Sequence, residues 1–187
     1  RFESFGAAIS AHILGIDIIH LHGGEMSLGA IDNKLRHSIT QLSSYHFTSS
    51  DIHKQKVIEI TGSKDNVFNI GPLAIDGLLN LKTISKQDFE AKTGFEFTEK
   101  NFLITYHPET LSKDLGISGF ENLLNVLSKY KCKVLFTSPN ADAGSEKISD
   151  MINKFIENDN NHMLIPSLGQ TLFLNALMLF DCIIGNS

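Results

Sequence analysis

The sequence is poor in cysteine, has no excess of basic residues and contains no long hydrophobic run. Its two cysteines, Cys132 and Cys182, lie in apolar, strand-like segments of a 187-residue chain. Two cysteines in such segments do not indicate a disulfide framework, and each is interpreted as a small buried thiol. The sequence therefore favours a reducing, cytoplasmic setting. The 16 basic residues against 21 acidic ones give a net charge of -5. This balance provides no general attraction to nucleic acid or to an anionic membrane, and we expect neither as a partner.

No hydrophobic run approaches the length of a bilayer span, and the first residues carry no signal-peptide pattern. Internal repeats, heptads and low-complexity tracts are also missing, which argues against a solenoid or a coiled coil. The hydrophobic content of 42% is ample for a folded core. Because no methionine precedes Arg1 and the chain stops just after a strand-like segment, we expect a fragment that lacks both ends.

Short apolar segments alternate with helical patterns along the whole chain. The apolar spacing after the first glycine pair, for example, predicts an amphipathic helix over 30–44. Regular alternation of this kind predicts parallel strands joined by right-handed crossovers, and therefore an α/β fold of two Rossmann-like, doubly wound domains. The more polar stretch at 82–100 marks the change of domain, so the predicted domains are residues 1–95 and 96–187. Strands are predicted at 16–21, 45–48, 67–70, 102–106, 134–137, 163–165 and 182–184.

Two histidines and a glutamate lie where the first predicted strand ends. His20, His22 and Glu25 match the spacing of metal ligands at first sight, but a metal site also needs a third ligand and a second shell, and none is obvious in the sequence, so a metal site is not favoured. His20, between two apolar neighbours, is interpreted as a core histidine. His22 and Glu25 lie among glycines beyond the strand, where little apolar surface would bury them. We therefore predict a functional role for both.

Asp32 lies in the first turn of the next predicted helix, four residues before Arg36. This spacing fits a surface ion pair, which stabilises a helix by a few tenths of a kcal/mol. A carboxylate in a first turn also complements the helix dipole, or transfers a proton if a substrate lies nearby. The residues alone leave these roles open.

Polar residues follow three strands of the second half. His107 is held at a strand end by Pro108, which cannot continue a strand inside a sheet. Asn140 follows the next strand, and Ser145 is predicted to cap the helix after it. The segment 185–187 follows the last strand. Loops of this kind present N–H groups and hydroxyls at helix N-termini, which predicts a phosphate-binding edge that needs no net positive charge.

These residues form a recognisable set of motifs. The motifs are Arg1-Phe2-Glu3, His20-x-His22-Gly23-Gly24-Glu25, Gly29-Ala30-Ile31-Asp32, Arg36-His37-Ser38-Ile39-Thr40, Tyr45-His46-Phe47, His107-Pro108, Pro139-Asn140-x-Asp142-Ala143-Gly144-Ser145 and Ile184-Gly185-Asn186-Ser187. Together they resemble the hydrolysing UDP-N-acetylglucosamine 2-epimerases of the sialic acid pathway, over the whole chain. The resemblance implies a glycosyltransferase-B type fold with the sugar nucleotide in the cleft between two domains. It makes residues 1–95 the C-terminal part of the N-terminal domain, and 96–187 the first part of the UDP-binding domain.

The resemblance also implies which residues contact the substrate. Arg1, His107, Asn140 and Ser187 match family positions that contact the UDP portion. The partner it implies is a UDP-sugar. The apolar helices are expected to support a homo-oligomer, either a dimer or a tetramer.

Catalytic roles are implied for His22, Glu25, Asp32 and His107. Asp32 matches an acid or base that acts at the sugar. One position departs from the pattern, because animal members and non-hydrolysing relatives have a glutamate where this chain has His22. The resemblance therefore leaves open whether His22 or Glu25 transfers the proton.

The family reaction removes the C2 proton of the sugar while UDP departs from C1, and water then adds to the unsaturated intermediate. The products would be N-acetylmannosamine and UDP, for sialic acid or related nonulosonate biosynthesis. No cofactor is expected, neither a metal nor a nicotinamide, and no Gly-x-Gly-x-x-Gly occurs in the sequence. The alternatives are a non-hydrolysing 2-epimerase, a hydrolysing epimerase for UDP-diacetylbacillosamine, a glycosyltransferase of the same fold and a nucleotide-binding module.

Overall fold

The first of two compact units, residues 1–80, is built on a sheet of three parallel strands. The structure is a computed structural model and describes residues 2–28, 30–159 and 161–186. The elements of this unit are α1 (Phe2–Ile13), β1 (Ile19–Leu21), α2 (Asp32–Leu42), β2 (Tyr45–Thr48), α3 (Asp51–Thr61), β3 (Val67–Asn69) and α4 (Ala74–Leu79). The strand order is β1-β2-β3, so α2 and α3 each connect neighbouring strands. The polar segments that follow β1 and β2 therefore meet at one edge of the sheet.

The second unit, residues 81–187, contains a four-stranded parallel sheet. Its elements are α5 (Lys86–Thr93), β4 (Asn101–Thr105), α6 (Ile117–Leu127), β5 (Lys133–Thr137), α7 (Ser145–Asn158), β6 (Met163–Ile165), α8 (Gly169–Leu179) and β7 (Cys182–Gly185). The strand order is β6-β5-β4-β7, so the chain reverses its direction of travel across the sheet after β6 and places β7 on the other side of β4. Ligands of open α/β sheets bind beyond the strand ends at such a reversal.

Helices cover both faces of the second sheet. Successive strand residues point to opposite faces, so neighbouring strand residues enter different cores. Ile104 and Phe136 lie in one buried cluster, whereas their neighbours Leu103 and Leu135 lie in the other. The first cluster is completed by Phe120, Leu124, Leu127, Val134, Ile148 and Ile152, and the second by Phe89, Phe95, Leu168, Ala176 and Phe180. This two-faced core confirms the doubly wound arrangement that the alternation predicts.

The two units divide between Asn80 and Leu81, whereas the sequence analysis placed the boundary after residue 95. The segment 82–100 looks like a linker because its surface is polar. Its two fully buried phenylalanines, Phe89 and Phe95, nevertheless belong to the core of the second unit. Asn175 of α8 also binds this segment, accepting from the Ile84 N–H at 2.9 Å.

All seven predicted strands are present, although β1 is shorter than the predicted segment. The short helices α4 and α5 are not predicted from the sequence, because neither carries a clear apolar stripe. Cys132 and Cys182 are free thiols, each half-buried. Among the described helices, none combines the length and the apolar character that crossing a membrane requires.

Candidate active site

The segment after β1 turns sharply at two positions with left-handed backbone. His22 has a φ of 60°, and its N–H donates to the carbonyl oxygen of Phe47 at 2.8 Å. Gly24 has a φ of 82°, and a Cβ at this position would collide with the carbonyl oxygen of His53 in α3. Because glycine alone has no Cβ, it alone tolerates this close approach of two backbones. The turn brings Glu25 back beside His22.

His22 and Glu25 form the centre of a hydrogen-bonded network. Nδ1 of His22 lies 2.7 Å from Oε1 of Glu25. The same carboxylate oxygen accepts from the hydroxyl of Ser49 at 2.5 Å, and the Ser49 oxygen lies 2.9 Å from Nδ1 of His53. Burial by itself would raise the pKa of Glu25, but the hydrogen bonds from Ser49 and His22 outweigh it and hold the pKa below its usual value. Glu25 is therefore ionised at neutral pH.

The network is held in place from α2. Asn33 exchanges two hydrogen bonds with the backbone of Ser27, at 2.8 and 2.9 Å. Arg36 donates to the backbone oxygen of Glu25 at 2.7 Å. Since Arg36 is always charged and forks toward several acceptors, it binds the loop more firmly than a neutral donor would. The sequence predicted Asp32 as the partner of Arg36 and gave no sign of this contact with the Glu25 backbone.

Asp32 lies in the first turn of α2, as predicted, although the helix begins at Asp32 and not at residue 30, and it lies at the positive end of the helix dipole. It lines a cavity of about 830 Å³ together with His20, Ser27 and Arg36. The small residues of α1 that face this cavity, including Ala7 and Ala11, leave the space open.

His20 and His22 bind different partners, because His22 lies beyond the end of β1 and has a left-handed backbone. Nδ1 of His20 contacts the hydroxyl of Thr40 at 3.1 Å. Burial, helped by the positive charges of nearby groups, lowers the pKa of His20 to about 4, so this ring is neutral at physiological pH. Within the described ranges, no three His, Cys, Asp or Glu side chains are grouped so as to hold a metal ion.

In the second unit, hydrogen bonds join the loops that follow β4, β5 and β7. The backbone N–H of His107 donates to Oδ1 of Asn186 at 2.9 Å, and Nδ2 of Asn186 donates back to the His107 carbonyl at 2.8 Å. The N–H of Asn140 donates to Nδ1 of His107 at 3.0 Å. Because Nδ1 accepts, the ring hydrogen of the neutral His107 side chain is on Nε2. Oδ1 of Asn140 is buried without a hydrogen-bond partner, as expected of an acceptor that a ligand would satisfy.

A cavity of about 370 Å³ opens at this edge of the second sheet. His107 and Ser138 line it from the β4 and β5 loops. Ser167, Gly169 and Gln170 line it from the loop after β6 and the first turn of α8. The sequence analysis missed these last three residues, although Pro166-Ser167-Leu168-Gly169 carries the usual signal of a strand end followed by a helix start.

Several predicted residues can now be placed. Ser145 does not cap α7, because Gly144 occupies the N-cap with a φ of 91° and Ser145 is the first helical residue. The structure brings His22 together with Glu25, and His107 together with Asn140. Arg1 and Ser187, which were predicted to contact UDP, lie outside the described residues. Ser49 and His53 were missed, yet they follow β2 at the same sheet edge as the His22 loop.

Comparison with known proteins identifies relatives along the whole chain. Residues 1–187 match the sequence model of a family described as UDP-N-acetylglucosamine 2-epimerase. A GDP/UDP-N,N'-diacetylbacillosamine 2-epimerase (hydrolyzing) of Campylobacter jejuni is 33% identical over 100% of this chain and 49% of its own length. Polysialic acid biosynthesis protein P7 of Escherichia coli is 36% identical over 100% of this chain and 48% of its own length. The chain therefore spans about half the length of these curated relatives.

A solved structure shows the same fold. The UDP-GlcNAc 2-epimerase of Neisseria meningitidis, bound to UDP-GlcNAc, superimposes with a TM-score of 0.77 at 19% identity, covering 98% of this chain and 51% of that one. The predicted fold class, two Rossmann-like α/β domains of the glycosyltransferase-B type, is confirmed.

Proposed function

The chain belongs to the UDP-N-acetylglucosamine 2-epimerase family, and on this premise we propose that it is part of a hydrolysing 2-epimerase of a UDP-linked 2-acetamido sugar. The reaction would convert UDP-GlcNAc to N-acetylmannosamine and UDP, for sialic acid or related nonulosonate biosynthesis. The observation that carries the proposal is the pair formed by His22 and Glu25, 2.7 Å apart at a sheet edge. An imidazole bonded to a carboxylate is a recurrent acid–base device in enzymes.

The chemistry requires a base, an acid and a site that stabilises the leaving diphosphate. A base takes the C2 proton, the C2–H electrons form a C1–C2 double bond, and UDP departs with the electron pair of its bond to C1. Water then adds its oxygen to C1 and an acid returns a proton to C2 from the opposite face. The sum is the addition of one water, with UDP and the free 2-epimer as products.

The described residues suit these tasks. In the first unit, His22, Glu25 and Asp32 supply side chains that can accept and donate protons. In the second unit, Nε2–H of His107 and the backbone N–H groups at the start of α8 are donors for the diphosphate. Such donors stabilise charge as it develops on a leaving group, and they need no net positive charge in the protein.

A turnover assay on the full-length enzyme tests the proposal. We expect incubation with UDP-GlcNAc to release UDP and a free sugar, with solvent deuterium at C2 when the reaction runs in D2O. Release of an epimerised sugar still linked to UDP would instead indicate the non-hydrolysing alternative. UDP binding without turnover of any UDP-sugar would indicate a nucleotide-binding module, and transfer to an acceptor without epimerisation would indicate a glycosyltransferase.

A second substrate candidate has a specific observation in its favour. The Campylobacter jejuni relative, 33% identical to this chain, is named for UDP-N,N'-diacetylbacillosamine. We propose that this sugar nucleotide be assayed beside UDP-GlcNAc at equal concentration. The substrate with the higher kcat/KM is the physiological one under this proposal, and both outcomes are compatible with the same acid–base machinery.

A further inference from the structure

We propose that Nε2 of His22 is the proton-transfer atom of the first unit, and that Glu25, Ser49 and His53 are positioning residues that keep the hydrogen of the neutral ring on Nδ1. The inference rests on the proposed function. It decides between His22 and Glu25, and it assigns roles to two residues that the sequence analysis missed.

The hydrogen bonds at Glu25 determine where the hydrogen of His22 lies. Oε1 of Glu25 is 2.7 Å from Nδ1 of His22 and accepts from Ser49 at 2.5 Å. An ionised carboxylate has no hydrogen to donate, so Nδ1 of His22 must be the donor. A neutral imidazole carries one ring hydrogen, and its other nitrogen then holds a lone pair. Nε2 of His22 is that nitrogen.

Ser49 and His53 extend the same pattern. The single hydroxyl hydrogen of Ser49 is donated to Glu25, so the Ser49 oxygen is an acceptor toward His53. Nδ1 of His53, 2.9 Å away, is therefore a donor. Every hydrogen in the chain from His53 through Ser49 to Glu25 points toward the carboxylate, which is the arrangement that best stabilises its negative charge. Glu25 is thereby kept as an acceptor for His22.

The backbone holds the four side chains in register. Gly24 packs against the backbone of His53, and Arg36 binds the carbonyl of Glu25. The His22 side chain is still 36% exposed, so the ring edge opposite Glu25 can reach a substrate. Proton uptake at Nε2 creates an imidazolium directly beside a carboxylate, which stabilises it. The geometry resembles that of other enzymes in which a buried carboxylate orients a catalytic histidine.

The side chains whose charge acts on the Glu25 carboxylate are His22 and His53. Neither is acidic, so Glu25 supplies the negative charge of the network. Removal of its charge should therefore destabilise the imidazolium that forms when Nε2 of His22 takes up a proton.

The first test is direct observation of the ring by NMR. The full-length enzyme, labelled with 15N-histidine, gives long-range 1H–15N correlations that distinguish a protonated from an unprotonated ring nitrogen. The His22 signals are assigned by their loss in His22→Gln. We expect Nδ1 to be protonated and Nε2 unprotonated in the neutral ring. A neutral His22 with its hydrogen on Nε2 overturns the inference, whether or not the enzyme turns over any UDP-sugar.

The second test compares kinetics of matched variants. Glu25→Gln is expected to lower kcat by about 100-fold or more with little change in KM. Ser49→Ala and His53→Gln, which leave the Glu25 charge in place, should lower kcat by about 10-fold. Glu25→Gln with a wild-type kcat overturns the inference.

Control variants separate positioning from folding. Glu59→Gln and Ser10→Ala alter exposed helical side chains outside the network, and both should retain wild-type kinetics and NMR spectra. If Glu25→Gln fails to fold, Ser49→Ala decides the question, because its loss of the hydrogen bond must alter the Nδ1 signal of His22. An unchanged signal in Ser49→Ala contradicts the proposed chain. Absence of turnover in the wild type would count against the proposed function and leave the NMR result standing.

Discussion

His107 joins the loops that follow β4, β5 and β7 of the second unit through hydrogen bonds. Its backbone is bound on both sides by Asn186, and its ring accepts from Asn140. These contacts immobilise the ring before any ligand arrives, which lowers the entropy lost on binding. They also leave the Nε2–H group as the one ring donor, directed away from the loop that holds Nδ1.

Replacement of His107 by alanine should weaken UDP binding. A hydrogen bond to a charged group contributes about 1.5–3 kcal/mol, so we expect the Kd to rise by about 10- to 100-fold. Isothermal titration of the full-length enzyme with UDP measures the change. His12→Ala, an exposed change in α1, serves as the control. An unchanged Kd in His107→Ala would remove this residue from the UDP site.

Asp32 combines a helix-dipole position with a place in the lining of the cavity of about 830 Å³ in the first unit. Asp32→Asn keeps the shape but cannot accept a proton, so we expect turnover to fall by about 100-fold or more while UDP affinity stays near wild type. The dipole contribution alone would cost only about 0.3–1 kcal/mol of stability. Steady-state kinetics and UDP titration distinguish these roles, with Asp65→Asn in an exposed loop as the control. Wild-type turnover in Asp32→Asn would show that the Asp32 carboxylate complements the helix dipole and transfers no proton.

At the scale of elements, the loop that carries His22 and Glu25 depends on a close contact between the β1–α2 segment and α3. Val57 of α3 is fully buried, and a Cβ on Gly23 would lie 3.3 Å from its Cγ2. The next residue, Gly24, has no room for any side chain. Gly23 and Gly24 therefore let the loop pack closely against α3. This close packing allows the polar side chains of the loop and of α3 to approach each other.

Gly24→Ala should disrupt this contact. The substituted residue would be strained at a φ of 82° and its Cβ would collide with the His53 backbone, so we expect a loss of about 2–4 kcal/mol in the free energy of unfolding. Gly62→Ala is the matched control, since Gly62 has a φ of 72° but open space around it. That change should cost only about 1 kcal/mol. Urea unfolding of the full-length enzyme compares the two, and equal losses would show that the contact with α3 contributes nothing.

The domain boundary is also decided by how an element packs. The α5 segment is capped at Ser85, where the side chain of Asp88 completes a capping box, and Phe89 then enters the second core. The polar composition around it gives no sign of this. A helix of eight residues with one buried face residue has too weak a periodicity to be recognised from the sequence.

At the scale of the whole molecule, histidines with lowered pKa values make stability depend on pH. Burial lowers the pKa of His20 to about 4, from an ordinary 6.5, and also lowers the pKa of His46, His37 and His162. In the unfolded chain these rings take up protons as the pH falls through 6.5, whereas the folded protein resists protonation. The unfolded state therefore binds more protons, and stability falls as the pH decreases from about 6.5 toward 4.

We expect the urea midpoint of the full-length enzyme to be lower at pH 5 than at pH 7. His20→Gln, which removes the most strongly shifted of these rings, should narrow the difference between the two midpoints. Carboxylates with lowered pKa values, such as Asp88 and Asp181, lose their contribution only at still lower pH. A urea midpoint that is higher at pH 5 than at pH 7 would contradict the lowered pKa values of these histidines.

Much of the architecture could be predicted from local patterns, because apolar runs and helical spacing are properties of neighbouring residues. The parallel strands and the loops that carry His22 and His107 followed from those patterns. The boundary after Asn80 did not follow, since it depends on Phe89 and Phe95 packing against strands that come later in the chain. Ser49 and His53 were also missed, because short polar residues after a strand carry no local signal of a distant partner.

The amino-acid sequence by itself determined the α/β class, the family and the residue types at each strand end. Only the tertiary structure decided which of those residues meet: Ser49 with Glu25 across 24 positions, and Asn140 with His107 across 33. The physical reason is that parallel strands bring their carboxyl ends to one edge, while hydrogen bonds between loops depend on positions that no local pattern encodes. The position of the ring hydrogen of His22 likewise depends on contacts that only the tertiary structure decides.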